Sequence, residues 1–80
     1  MLKKYTLKIT TEVFEPREHN GIKVSGLILL DTDKYIVNAT DKELAQMVAT
    51  SAIFEAFSDM GKYAKIRSVE IITVEDIKDV

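Results

Sequence analysis

The residue with the widest chemical reach in this chain is His19, in "FEPREHNG", where Glu15, Glu18 and Asn20 lie close by in sequence. An imidazole among carboxylates can hold a metal ion or relay a proton. A zinc site, however, needs about three or four ligands in fixed geometry, which a short polar turn does not supply. His19 therefore reads as a solvated loop residue, and neither a metal nor a cofactor is expected.

Other catalytic signatures are missing. The chain has no cysteine, which removes disulfides, thiolate metal sites and thiol nucleophiles together. No Gly-x-Ser-x-Gly elbow occurs, and no partner orients the single histidine. Gly21, Gly26 and Gly61 are too scattered to cradle a phosphate. The amino-terminal proline base used by small α+β tautomerases has no equivalent, because the only proline is Pro16, inside a predicted loop. No enzyme is expected.

Cations offer a second chemistry. "KKYTLK" brings Lys3, Lys4 and Lys8 with Tyr5, and "GKYAKIR" brings Lys62, Lys65 and Arg67 with Tyr63. If the first and last strands are neighbours, these groups gather at one edge, where cations follow a phosphate backbone and aromatics stack on bases. Nucleic-acid binding is thus the alternative expectation. Against it stand a net charge of −2, a pI near 5.3, and the place of Tyr5 in the apolar phase of its strand. Lysines also deter edge-to-edge pairing, so a solvated face explains them without a ligand. "NAT", Asn38 to Thr40, matches a glycosylation acceptor, but no secretion signal accompanies it and helix capping accounts better for Thr40.

The elements that must position these residues follow from periodicity. Tyr5, Leu7, Ile9, Thr11 and Val13 alternate with Lys4, Thr6, Lys8, Thr10 and Glu12, the period of a half-buried strand. "PREHNG" predicts a six-residue hairpin loop. "IKVSGLILLD" becomes apolar on both faces from Leu27 to Leu30, which predicts a central strand covered on two sides, with Gly26 a bulge or close contact. "DTDK" reads as a turn into a short strand "YIVNA". Thr40 and Glu43 have the spacing of a helix-capping pair, and Gly61 is placed to end that helix. "RSVEIITVE" predicts the last strand, with Val69, Ile71 and Thr73 on one face, and "DIKDV" a short frayed tail.

The chain is therefore expected to be one α+β domain over residues 1–80: an antiparallel four-stranded sheet with one helix packed on a face, in the order β-β-β-α-β. Eighty residues bury only about 60–65% of the unfolded surface, so stability is modest without association. The hydrophobic content of 46% still provides a packed core. No apolar run is long enough to span a bilayer and the start of the chain is amphipathic, so a cytosolic (cytoplasmic) protein that does not engage a membrane is expected.

The helix raises the main functional expectation. At about 100° per residue, Ala45, Ala49, Ala52 and Ala56 form one stripe flanked by Val48, Ile53 and Met60. Met47 and Phe54 lie almost opposite, with Leu44 and Phe57 near their edges. One sheet cannot bury both sides. Leu27 and Leu29, pointing opposite to Ile28 and Leu30, add a second apolar excess. These residues (Leu44, Met47, Phe54, Phe57, Leu27 and Leu29) are the expected partner or oligomer interface. The leading expectation is a small self-associating protein-interaction module, a homo-oligomer with a dimer favoured, that binds another protein. By analogy of size and missing motifs, it would resemble phage or mobile-element products that inhibit or adapt host proteins.

Overall fold

The computed structural model describes residues 1–77. Strand β1 (Lys3–His19) leads into β2 (Ile22–Ala39), then helix α1 (Lys42–Asp59), then β3 (Tyr63–Asp76). The strands form one three-stranded sheet in the order β2-β1-β3, antiparallel throughout. The element order is β-β-α-β, and the expected four-stranded sheet is corrected to three.

The difference lies in "DTDK". These residues make no turn. Asp31, Thr32, Asp33 and Lys34 pair in register with Thr11, Thr10, Ile9 and Lys8, and "YIVNA" is the continuation of an 18-residue strand. Turn-prone residues stay extended here because β1, itself 17 residues long, runs beside them and offers every ladder partner. The two Asp side chains point to the same side, and Asp33 Oδ1 accepts from the Lys34 amide at 2.8 Å. The tendency of Asp to bond nearby backbone is thus satisfied without a reversal.

The strand expected to be central is an edge. β2 pairs only with β1, and β1 is the central strand. Its alternation fits that place: Tyr5, Leu7, Ile9, Thr11 and Val13 are all buried. The side chains opposite them project to the uncovered face. Burial of residues such as Leu7, Ile9 and Val13 stabilises by roughly 1.5–3 kcal/mol each relative to exposure.

The predicted six-residue loop shrinks to two. β1 continues through His19 and β2 begins at Ile22, with Asn20 at φ 53° and Gly21 at φ 78° between them. Two successive positive φ values match the twist of the flanking strands and close a tight hairpin. Pro16 pairs with Ser25 beyond the last β1–β3 pair, Phe14 with Tyr63. β1 there has a neighbour on one side only, which is where a strand tolerates proline.

Bulges set which side chains meet the helix. In β2 the register shifts between Val13 and Phe14, leaving Ile28 without a partner; Gly26, expected to mark a bulge or close contact, has open space around it. In β3 the register shifts twice, leaving Ile72 and Arg67 as the extra residues. Each extra residue reverses the alternation. The β3 shifts therefore bring Ala64, Ile66, Val69 and Ile71 together against the core. Thr73, expected to share a face with Val69 and Ile71, pairs with Thr6 on the uncovered face instead.

α1 lies along the covered face and buries Ala45, Ala49 and Ile53 against it. Its N-cap is Asp41, whose carboxylate accepts from the Leu44 amide at 2.8 Å, and Thr40 lies one residue too early for that role. At the other end the Lys62 amide donates to the Phe57 carbonyl and the Gly61 amide to the Ser58 carbonyl, both at 2.9 Å. Gly61 takes φ 72°, completing the left-handed exit of a Schellman motif. Of the tail expected over 76–80, Asp76 ends β3 and the Ile77 amide reaches the Leu2 carbonyl at 3.4 Å; residues 78–80 lie outside the described residues.

An 18-residue helix is about 27 Å long, whereas the molecule measures 60 × 19 × 17 Å. α1 covers the three-stranded part only. Beyond it, residues 15–19 and 22–26 project as a two-stranded arm.

Candidate interaction surfaces

The helix faces are now resolved. The line Ala45, Ala49, Ile53 meets the sheet, with Phe57 half-buried at its end and packed against the core. Ala52 and Ala56, expected in the same stripe, are exposed. Ala52 sits on the shoulder of the helix because the sheet is narrow: three strands at ~4.8 Å spacing support little more than one helix diameter.

The side turned away from the sheet is largely apolar, with Glu55 falling between Leu44 and Val48 at about 100° per residue. Leu44, Met47, Val48 and Phe54 are 40%, 63%, 46% and 44% exposed, and Ser51 lies among them. Between Leu44 and Ser58 the only charged residue is Glu55. A helix exposed on one side ordinarily carries charges there. Met60 is also exposed at the end of α1.

The expected interface residues do not all share this surface. Leu44, Met47 and Phe54 lie together, while Phe57 is turned to the core. Leu27 and Leu29, expected on one face of their strand, fall on opposite faces: Leu29 pairs with Val13 beside the covered side and Leu27 with Phe14 on the other. The unpaired Ile28 between them causes the reversal. Both are exposed along the β2 edge. Val48 joins the outer helix surface, and its signal in the sequence is its spacing of four from Leu44 and three from Ser51.

The cations are adjacent in the way the sequence requires, since β1 and β3 are neighbours, yet carboxylates are interleaved with them. Lys4 Nζ is 3.6 Å from Glu75 Oε2 and Lys3 Nζ 4.0 Å from Asp76 Oδ1. Lys8 stands between Lys34 and Glu70, and Lys65 faces Glu12. Arg67 is the extra residue of a bulge, and Lys62 follows the helix stop. A phosphate backbone laid along this surface would meet both signs of charge.

A shallow depression of about 270 Å³ at the base of the arm is lined by Pro16, Arg17, Glu18, Lys23 and Tyr63. Both signs of charge line it: Arg17 is 3.7 Å from Glu15, and Lys23 stands opposite Glu18 in the β1–β2 ladder. His19 occupies the last position of β1, next to the turn. Among the described residues, no three His, Asp or Glu groups cluster as metal ligands would. No described helix is long and apolar enough to cross a membrane. The Tyr35 hydroxyl is pushed above its ordinary value, first by burial and then by the Asp31 and Asp33 carboxylates.

No protein-family model matches this chain, and neither a curated protein nor a solved structure matches it.

Proposed function

We propose that this chain is a self-associating protein-interaction module whose contact surface is the outer side of α1. The observation that carries the reading is the exposure of Leu44, Met47, Val48 and Phe54 on one side of a helix whose other side is already buried. Single exposed apolar residues are ordinary, whereas a contiguous set marks a contact surface. α1 is the one helix among the described residues, so a second copy is the simplest source of a matching apolar face. Closing water off from such residues contributes about 25 cal/mol per Å² of apolar surface.

The test is solution mass by light scattering at micromolar concentration, with circular dichroism to establish folding. The wild type is expected at twice the chain mass and a folded Phe54→Glu variant at the chain mass. A wild type that stays monomeric up to high concentration would overturn the reading.

A further inference from the structure

We infer that Asn20 is a site of spontaneous covalent modification: the Gly21 backbone nitrogen displaces its side-chain amide, converting the tip of the two-stranded arm to aspartate and isoaspartate. Asn20 and Gly21 are the two residues between β1 and β2.

The reaction is an intramolecular acyl transfer. The Gly21 nitrogen gives up its proton to solvent base and attacks Cγ of Asn20. A C–N bond forms there, the Cγ–Nδ2 bond breaks, and ammonia leaves with a proton taken from water. The cyclic succinimide that results is opened by water at either carbonyl. Opening at Cγ restores the ordinary backbone and yields aspartate, whereas opening at the backbone carbonyl leaves the chain running through the side chain, as isoaspartate. Water is the one co-reactant.

The attacking nitrogen is unusually accessible. A side chain on the following residue would crowd it, and Gly21 has none; the space beside its α-carbon is open. Asn20 and Gly21 are both exposed, and among the described residues no backbone hydrogen bond holds the Gly21 amide.

The turn itself sets the pace. With φ 53° at Asn20 and 78° at Gly21, it is held shut by the ladder behind it, so the nitrogen reaches Cγ when the hairpin end opens. Five residue pairs, from His19–Ile22 back to Glu15–Gly26, hold the arm, and the β1–β3 ladder stops short of them at Phe14–Tyr63. A lone two-stranded hairpin is marginally stable, and such segments open at low free energy.

The other asparagine in the chain, Asn38, is an internal control. It pairs with Lys4, which pairs in turn with Glu75, so three strands hold it. The residue that follows is Ala39, buried and carrying a methyl group beside its nitrogen.

The two products act differently on the arm. Aspartate, like asparagine, tolerates positive φ and keeps the chain length. Isoaspartate adds an atom to the backbone of a two-residue loop, whose length fixes the strand register. The arm therefore closes on aspartate and frays on isoaspartate. Either product adds a negative charge to a chain whose net charge is already −2.

The test compares the wild type with Gly21→Ala and Asn20→Asp in mildly alkaline buffer, with and without urea, with circular dichroism recorded throughout. Anion exchange separates the modified chains, and mass spectrometry of protease digests places the change. Asn20 is expected to convert to both products in native buffer while Asn38 stays intact. Urea should hasten the conversion, and in urea Gly21→Ala should slow it by about tenfold or more. Amides of residues 22–26 should exchange hydrogen faster in the isoaspartyl fraction than in Asn20→Asp. An Asn20 that persists in the folded chain but is lost in urea overturns the site, as does conversion of Asn38 at the same rate. A rate unchanged by Gly21→Ala in urea overturns attack by that nitrogen, and a wild-type rate unchanged by urea overturns hairpin opening as the limiting step. Equal exchange in the isoaspartyl fraction and Asn20→Asp overturns the effect on the arm.

Discussion

Thr10 and Thr32 share a hydrogen bond, Oγ1 to Oγ1 at 3.1 Å, across the ladder between β1 and β2. It lies in the segment whose Asp-Thr-Asp-Lys composition favours a turn, and it records that the strand runs straight through. A double-mutant cycle of Thr10→Val and Thr32→Val, read by urea unfolding, should give a coupling of about 0.2–1 kcal/mol. Strict additivity would mean that these residues do not face each other.

The helix start rests on Asp41. Asp41→Ala should lower stability by ~1 kcal/mol through loss of the bond to the Leu44 amide, and Thr40→Ala should change it by less than about 0.5 kcal/mol. Thermal unfolding followed at 222 nm checks both, and the reverse order would return the cap to Thr40.

Ala49 and Ala52 differ in what surrounds them: one is buried against the sheet and the other exposed. Ala49→Leu should overpack that contact and cost about 1–3 kcal/mol, while Ala52→Leu should leave stability within ~0.5 kcal/mol. Equal losses at the two positions would mean that the sheet covers a wider arc of α1 than described.

Tyr35 supplies a pH dependence. Burial, with the Asp31 and Asp33 carboxylates beside it, keeps its hydroxyl protonated in the folded chain at pH values where an unfolded tyrosine, near 10, has ionised. The folded state then holds more protons than the unfolded one. Stability is full below pH ~10 and falls as pH rises from there through the folded value. Urea midpoints between pH 9 and 11.5, chosen to bracket the ordinary tyrosine value of about 10, should fall less steeply for Tyr35→Phe. An unchanged slope would show that Tyr35 is not the group responsible.

Much of this fold was legible in the sequence, and the residues show why. Tyr5, Leu7, Ile9 and Val13 alternate over a length that only a strand accommodates, and Gly61 marks the helix stop because few other residues take φ 72° cheaply. Asp31 to Lys34 misled because local composition speaks for the isolated segment, while the pairing comes from a partner strand many residues away. Leu27 and Leu29 misled similarly: a single unpaired residue, Ile28, decides their faces, and register is a property of two strands together. The two-sided character of α1 was readable from spacing alone. Which side meets the sheet was not, because alanines and larger apolar residues both offer plausible burial until the width of the sheet is known.

The strand order carries a consequence for synthesis. β1 is made first and occupies the centre of the sheet, yet its second neighbour, β3, is the last described strand to be made. At ~5–20 residues per second, one side of β1 waits several seconds for its partner after the β1–β2 hairpin can form. During that interval Leu7, Ile9 and Val13 lie open next to an unpaired strand edge, and α1 has an incomplete surface to settle on. Growing chains on one messenger are close neighbours in that state. The hazard of wrong pairing is therefore greatest while β3 is missing, and a chain truncated before Tyr63 is expected to aggregate more than one that carries β3.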